Sequence, residues 1–123
     1  MSPTNKKKLN LLRVKLDKLD NDLLKLIKKR SNIVNEVLKI KIHKKEIIDH
    51  KRISFILKKI KQKSIKSNID PKITNRIWKN MIWSFIDYEK RNFKKKIILF
   101  TMWRQFFFNK QFMLPCRRII LFS

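Results

Sequence analysis

Residues 9–43, LNLLRVKLDKLDNDLLKLIKKRSNIVNEVLKIKIH, carry a nearly continuous helical pattern of apolar residues. The residues of this pattern, which we call the apolar seam, advance in steps of three and four with one gap: Leu9, Leu12, Leu16, Leu19, Leu23, Leu26, Ile33, Val37 and Ile40. Neither Pro nor Gly interrupts residues 4–70, so we predict one helix from about Leu9 to His43, about 50 Å long. A chain of 123 residues is too short to cover such a helix, which predicts a partner chain.

The gap in the apolar seam falls at Arg30, which continues the series between Leu26 and Ile33. A buried arginine is costly unless it meets an anion from the protein or from a ligand. Lys41 follows eleven residues later, about 20° from Arg30 around the helix, with Val34 and Val37 between the two cations. From this pattern alone, two side chains that extend to solvent explain the cations at least as well as an anion-binding site does.

A short second helix and a third helix are predicted after the first, which makes the fold all-α with three helices. Residues 43–50 break the apolar pattern and indicate a loop or a frayed helix end. The apolar stripe of the second helix is Ile53, Ile56, Leu57 and Ile60. That helix should end near Ser67–Asn68. Asp70–Pro71 then pairs an acidic N-cap with a proline at the first helical position, and the third helix should run at least to Asn92.

The net charge of +24 first suggests a nucleic-acid-binding protein, because lysine and arginine neutralise phosphates. However, the chain has no Gly and no Ala, and is rich in Lys, Ile, Asn and Phe. AT-rich coding DNA produces that bias whatever the function, so much of the charge is expected to be a solvated surface. We therefore do not expect nucleic acid to be the main partner.

Cysteine and histidine are too few for a disulfide framework or a zinc site. Cys116 is alone and suits a reducing compartment, while only His43 and His50 are available as imidazole ligands. The polar first residues do not resemble a signal peptide, and no run reaches the roughly 20 apolar residues of a membrane-spanning helix. We expect a cytoplasmic protein without a metal ion.

The two ends of the chain differ from its middle in composition. Residues 1–8 are assigned as a basic N-terminal tail and residues 94–123 as a basic, Phe-rich C-terminal extension, with no Asp or Glu from Lys90 onward. This extension fits a membrane-surface segment. It equally fits an unstructured or aberrant extension, for instance one from a reading-frame error in AT-rich DNA. We favour the second interpretation, and membrane binding is expected, if at all, only through this extension.

The order long helix, loop, short helix, Asp-Pro and third helix resembles the all-α (AroQ-type) chorismate mutases over residues 9–93. In the first helix the matches to that family's opening motif are Leu12-Arg13, Leu16-Asp17, Leu19-Asp20, Leu23-Leu24, Leu26-Ile27, Arg30 and Val37 to Lys41. Residues 49–52 resemble the family's D-x-x-R-E motif. Residues 76–89 are similar to an R-I-W-R-E-L-I stretch found in some members.

The resemblance implies a chorismate mutase, which rearranges chorismate to prephenate in aromatic amino-acid biosynthesis without a cofactor. It implies that Arg13 and Arg30 bind the substrate carboxylates, that Lys41 donates to the ether oxygen, and that Asp49 and Arg52 lie near the ring hydroxyl. Arg13 and Arg30 are 17 residues apart, about 25 Å along one helix, and no ligand of this size spans that distance. If both bind one molecule, Arg13 must come from the partner subunit, as in the family's intertwined homodimer.

Four residues depart from the family pattern. Ile53 replaces the acid after the second motif's arginine, and Leu38 replaces the usual glycine of the family's V-G-x-x-K segment. On the third helix, Phe85 and Glu89 take the places of a small hydroxyl residue and a glutamine. We include Phe85 among the substrate-binding residues, and expect Glu89 to bind substrate and, when protonated, to donate to the ether oxygen.

Three alternatives stay open at this point. Isochorismate-pyruvate lyase uses the same scaffold and a similar cationic site. A non-enzymatic basic helical protein would bind nucleic acid or an anionic membrane surface, but gives no reason for Arg30 in the apolar seam. A degraded relative would keep the fold with weak catalysis, given Ile53 and Phe85.

Overall fold

The computed structural model describes residues 1–112, with side chains through residue 108, and consists of three α-helices. They are α1 (Pro3–Ile40), α2 (His50–Lys66) and α3 (Pro71–Phe112). Over residues 1–112 there is no strand, so the all-α prediction with a very long first helix is confirmed. Residues 113–123, which include Cys116, lie outside the described residues. Residues 1–41 form one compact unit, and the chain from Ile42 onward forms a second.

α1 begins earlier and ends earlier than predicted. Ser2 is its N-cap, accepting a hydrogen bond from the Asn5 backbone N–H at 3.2 Å, and Pro3 occupies the first helical position. Most of the predicted N-terminal tail, residues 3–8, is therefore helical, because Ser-Pro is itself a strong start signal. The 38-residue helix, about 57 Å long, stops at Ile40 rather than His43, and Lys41 becomes its C-cap.

The buried side of α1 is not the side predicted from the apolar seam. Val34 and Leu38 are the buried residues of α1, whereas the seam from Leu12 to Ile40 is 42% to 77% exposed in the single chain. On the 3.6-residue period the buried pair is rotated by about 110° from the seam residues nearest to it. The predicted partner chain would have to cover the seam, and that partner stays a prediction.

A short loop organised by Glu46 connects α1 to α2, as the break in the pattern at residues 43–50 predicted. It holds one 3₁₀ turn, Lys44–Glu46. The Glu46 carboxylate accepts hydrogen bonds from the backbone N–H groups of Ile42 (2.8 Å) and His43 (3.0 Å). These two hydrogen bonds, of which the one from His43 has the larger effect, lower the pKa of Glu46 below its usual 4.5. The charged form of Glu46 therefore stabilises the loop.

The lowered pKa of Glu46 predicts an acid-sensitive contribution to stability. A carboxyl with a lowered folded-state pKa contributes fully above its unfolded value, and this contribution is lost as pH falls through the folded value. We expect wild type to lose more stability than Glu46→Gln between about pH 6 and pH 3. Urea midpoints measured by helical circular dichroism at both pH values test this, and equal losses in the two proteins would contradict it.

α2 and α3 form a helical hairpin joined by residues 67–70. Near the connection the Ser64 and Thr74 hydroxyls lie 2.7 Å apart and are buried. Asp70 begins α3 as predicted, because its carboxylate accepts the Lys72 N–H at 2.9 Å and Pro71 follows as the first helical residue. The buried apolar residues of this unit are Ile47, Ile82, Ile86 and Phe93.

α2 ends in a left-handed turn at Asn68, close to the predicted end at Ser67–Asn68. Asn68 has φ 55°, a conformation that glycine usually supplies, and the chain has no glycine. The Ile69 N–H bonds the Ser64 carbonyl at 2.9 Å, and the Asn68 N–H bonds the Ile65 carbonyl at 3.2 Å. This is the Schellman pattern, so asparagine terminates the helix in glycine's place.

Substitution of Asn68 should separate backbone conformation from side-chain contact. Asn68→Ala should destabilise the protein by about 1 kcal/mol, because a Cβ without asparagine's local hydrogen bonding disfavours left-handed backbone. Asn68→Gly should be neutral or stabilising, because glycine adopts positive φ without that cost. Thermal unfolding of the three proteins measures both effects. If alanine and glycine shift the midpoint equally, the left-handed turn is not the cause.

α3 continues well past the expected limit of the domain. It was predicted to reach at least Asn92, and it runs to Phe112, so residues 94–112 are helical rather than unstructured. Without proline or glycine between Pro71 and Phe112, nothing in the sequence ends the helix earlier. Within the described residues, no helix is both long and apolar enough to cross a membrane.

Candidate active site

Arg30 and Lys41 lie at the edge of the buried side of α1. Both are half-buried, and the Nε atom of Arg30 is buried. Lys41 directly follows the last residue of α1. Its backbone N–H continues the helical hydrogen-bond pattern by donating to the Val37 carbonyl at 3.3 Å. The two cations are therefore still about 20° apart around the α1 axis. Of the residues between them, Val34 is buried and Val37 is 42% exposed in the single chain.

Leu38 is the second buried residue of α1, after Val34. It is 7% exposed and stands where the resembling family has glycine. The steps of four from Arg30 to Val34 and from Val34 to Leu38 could have identified this face from the sequence. In the sequence, however, the apolar seam is a longer pattern than these two steps, and it favours a different side of α1 for burial. Two cations beside two buried aliphatic residues form a strip of α1 suited to a carboxylate with an apolar body.

Arg13 is on α1 but is not close to Arg30. It is exposed, and 17 residues of continuous helix separate the two residues by about 25 Å and about 100° around the axis. α1 therefore does not bring both guanidinium groups to one small ligand within a single chain.

Glu89 and Phe85 share one side of α3, one helical turn apart. Glu89 is 7% exposed and Phe85 is half-buried. Their neighbours on this side, Ile82, Ile86 and Phe93, are buried apolar residues. A carboxyl group that is almost fully buried is uncommon unless it has a structural or chemical task. This burial is the feature of Glu89 that the sequence pattern alone did not establish.

Asp49 and Arg52 lie at the beginning of α2. Asp49 is the N-cap, and one of its carboxylate oxygens accepts the Arg52 backbone N–H at 2.9 Å. Arg52 is exposed, and its guanidinium carbon lies 5.6 Å from the centre of the Phe55 ring. Asp49 thus stabilises the first turn of α2 as its N-cap, and its second carboxylate oxygen remains available to a ligand.

The register of the hairpin relates these residues to Glu89. The four-residue connection makes α2 and α3 antiparallel, and the Ser64–Thr74 hydroxyl contact fixes their register. Asp49 is fifteen residues before Ser64, and Glu89 is fifteen residues after Thr74, about 22 Å along each helix. By the same count Ile53 is level with Phe85. We infer that the predicted site residues of α2 and α3 lie at the same end of the hairpin.

Other features of the described residues do not add to this set. An open depression of about 660 Å³ on α1 includes none of the predicted site residues; it is lined by Asn21, Leu24, Lys25, Ile27, Lys28 and Ser31. Among the residues that the structure describes, no group of three His, Cys, Asp or Glu side chains could hold a metal ion. α1 offers two cations, Arg30 and Lys41, and the hairpin offers the carboxyl groups of Asp49 and Glu89 and the guanidinium of Arg52.

A comparison with protein-family models supports the family resemblance seen in the sequence. The family model described as chorismate mutase type II matches residues 12–90, inside the predicted 9–93 domain. Searches of curated proteins and of solved structures found no significant match. The matched segment covers more than half of the chain and includes Arg13, Arg30, Lys41 and Glu89. The chain therefore belongs to the chorismate mutase type II (AroQ) family, whose domain is that of an all-α isomerase.

Proposed function

We propose that this protein is a chorismate mutase that converts chorismate to prephenate. The observation that carries the proposal is the half-buried Arg30, whose Nε is buried on the same side of α1 as Lys41, within a chain of this family. The reaction is a pericyclic rearrangement in which a C–O bond breaks as a C–C bond forms. It needs no covalent intermediate and no cofactor, so the protein contributes only conformation and charge.

The cations of α1 suit both requirements of this reaction. A guanidinium binds a carboxylate through two parallel hydrogen bonds and so fixes its orientation. Arg30 is proposed to hold one carboxylate of the compact substrate conformer. Lys41 is proposed to donate to the ether oxygen, which gains electron density as the C–O bond breaks. Val34 and Leu38 supply the apolar surface beside them, where a charge-assisted contact is stronger than in water.

The hairpin residues are proposed to complete the site. Asp49 and Arg52 would lie near the ring hydroxyl, with Arg52 held at the first turn of α2 by the Asp49 cap. Phe85 would pack on the substrate ring. Ile53 takes the place of an acid and cannot hydrogen-bond the substrate hydroxyl, so Asp49 is the remaining carboxylate for that task on α2.

Glu89 is proposed to donate a hydrogen bond to the ether oxygen, which a carboxyl group can do only when it is protonated. Glu89→Gln should therefore stay active, because an amide always carries a donor, whereas Glu89→Ala should lose most of its turnover. Asp87→Asn, which changes an exposed carboxylate on the same helix, is the matched control and should turn over chorismate as wild type does. Equal turnover by Glu89→Ala and wild type would contradict a donor role for Glu89.

An intertwined homodimer is part of the proposal. The apolar seam is largely exposed in one chain, and covering it would bury several large aliphatic side chains, each worth about 1.5–3 kcal/mol when fully buried. The 25 Å estimated between Arg13 and Arg30 gives the second reason, because a partner chain can bring its own Arg13 to the Arg30 site. A single cysteine fits a cytoplasmic enzyme.

The direct test is to supply the purified protein with chorismate and, separately, with isochorismate. Chorismate absorbance should fall and prephenate should form, while isochorismate should release little pyruvate. Faster release of pyruvate from isochorismate would instead assign the lyase reaction to the same site. No turnover of either compound by folded protein would contradict both enzymatic assignments.

A further inference from the structure

We propose that the C-terminal part of α3, residues 94–108, is a docking surface for an anionic lipid bilayer. The segment lies outside the family match, which ends at residue 90. It is helical and projects apolar side chains that are 50% to 66% exposed; they are Ile97, Ile98, Leu99, Phe100, Met102, Trp103, Phe106, Phe107 and Phe108. Exposed aromatic residues in this density are not expected of a solvated surface.

Within this segment, residues 99–107 are amphipathic. At 100° per residue, the apolar residues cover an arc of about 160°, and this arc consists of Leu99, Phe100, Met102, Trp103, Phe106 and Phe107. Within residues 99–107 the opposite side holds Thr101, Arg104 and Gln105, which are all exposed. At the two ends of the segment, Ile97, Ile98 and Phe108 also lie on this opposite side and are exposed. Trp103 and Phe107, one turn apart, are in ring contact, with centroids 5.2 Å apart. A helix with one aromatic and aliphatic side can lie in the interfacial layer of a bilayer.

The positive charge of this segment favours an anionic bilayer as its binding partner. Exposed Lys94, Lys95 and Lys96 precede the amphipathic segment, Arg104 lies on its polar side, and the sequence has no Asp or Glu from Lys90 onward. Anionic headgroups complement these cations while the acyl region accepts the apolar arc. Nucleic acid would satisfy the lysines but would leave the apolar arc without a partner. A second copy of the segment would bring like charges together.

Vesicle flotation with the full-length chain tests the proposal. Wild type should float with vesicles of phosphatidylcholine mixed with phosphatidylglycerol, and not with phosphatidylcholine alone. The triple variant Phe100→Ser, Trp103→Ser, Phe107→Ser should bind at least about tenfold more weakly. The variant Thr101→Ser, Gln105→Ser changes the polar side alone and should bind as wild type does. Helical circular dichroism of each variant confirms that it folds.

Two further measurements separate docking from attraction to the overall charge of +24. Replacing Lys94, Lys95 and Lys96 by Gln should weaken binding more than replacing Lys58, Lys61 and Lys63, exposed lysines of α2, although both variants lose the same charge. With Trp78→Phe and Trp83→Phe, the emission of Trp103 should shift to shorter wavelength on anionic vesicles and be quenched by lipid-borne bromine.

The proposal is overturned if Trp103 emission does not change, or if the two lysine variants bind equally well. It is also overturned if the triple serine variant loses binding to duplex DNA rather than to vesicles. A change in the sedimentation of that variant from dimer to monomer would show that the arc is an interface between copies instead.

Discussion

Arg30→Ala should lower kcat/KM for chorismate by a factor on the order of 10²–10³, because it removes a charge-assisted contact from a partly buried site. In the absence of substrate the Arg30 Nε is already buried, and α1 continues as helix on both sides of Arg30. Pre-organisation of this kind stabilises the transition state without a further cost of ordering. Loss of chorismate absorbance under steady-state conditions measures the effect.

Two control variants make the Arg30 result specific. Lys29→Ala removes a cation from the adjacent, exposed position and should leave kcat/KM nearly unchanged, which excludes a general effect of net charge. Arg30→Lys keeps the charge but loses the two-pronged geometry, so its activity should fall between wild type and Arg30→Ala. Equal rates for wild type and Arg30→Ala, with helical content unchanged, would remove Arg30 from the site.

Mixing two inactive variants should restore activity if Arg13 acts across the subunit interface. Arg13→Ala and Arg30→Ala should each be nearly inactive alone. In a mixed dimer, one site combines the intact Arg30 of the first chain with the intact Arg13 of the second, and the other site lacks both. Random exchange makes half of the dimers mixed, so about one quarter of wild-type activity should return.

The outcome of mixing depends on which chain supplies each arginine. If Arg13 and Arg30 of the same chain acted together, every site in every dimer would lack one of them and no activity would return. Mixing Arg30→Ala with Arg30→Lys is the matched control, because no dimer of these two chains has an intact site. Activity proportional to the separate variants, with exchange verified by differently tagged chains, would exclude a contribution of Arg13 across subunits.

The sequence predicted the elements of the fold well because their signals are local. The α3 start at Asp70–Pro71 and the α2 end at Asn68 depend on hydrogen bonds between residues a few positions apart, so the residue types alone indicate them. For the candidate site, the sequence predicted which residues belong to it but not how they are arranged in space. Arg30 and Lys41 could be placed on one helix and related by the helical period, but that period does not show that they are half-buried.

The sequence by itself determined three helices, their caps and the spacing of the α1 cations, because helix periodicity and capping act within one or two turns. Tertiary structure decided which side of α1 is buried. α1 carries apolar residues around much of its circumference, so the pattern offered the apolar seam as readily as Val34 and Leu38. It also decided that Glu89 is buried and Arg13 exposed, since burial depends on what packs against a helix and not on the helix alone.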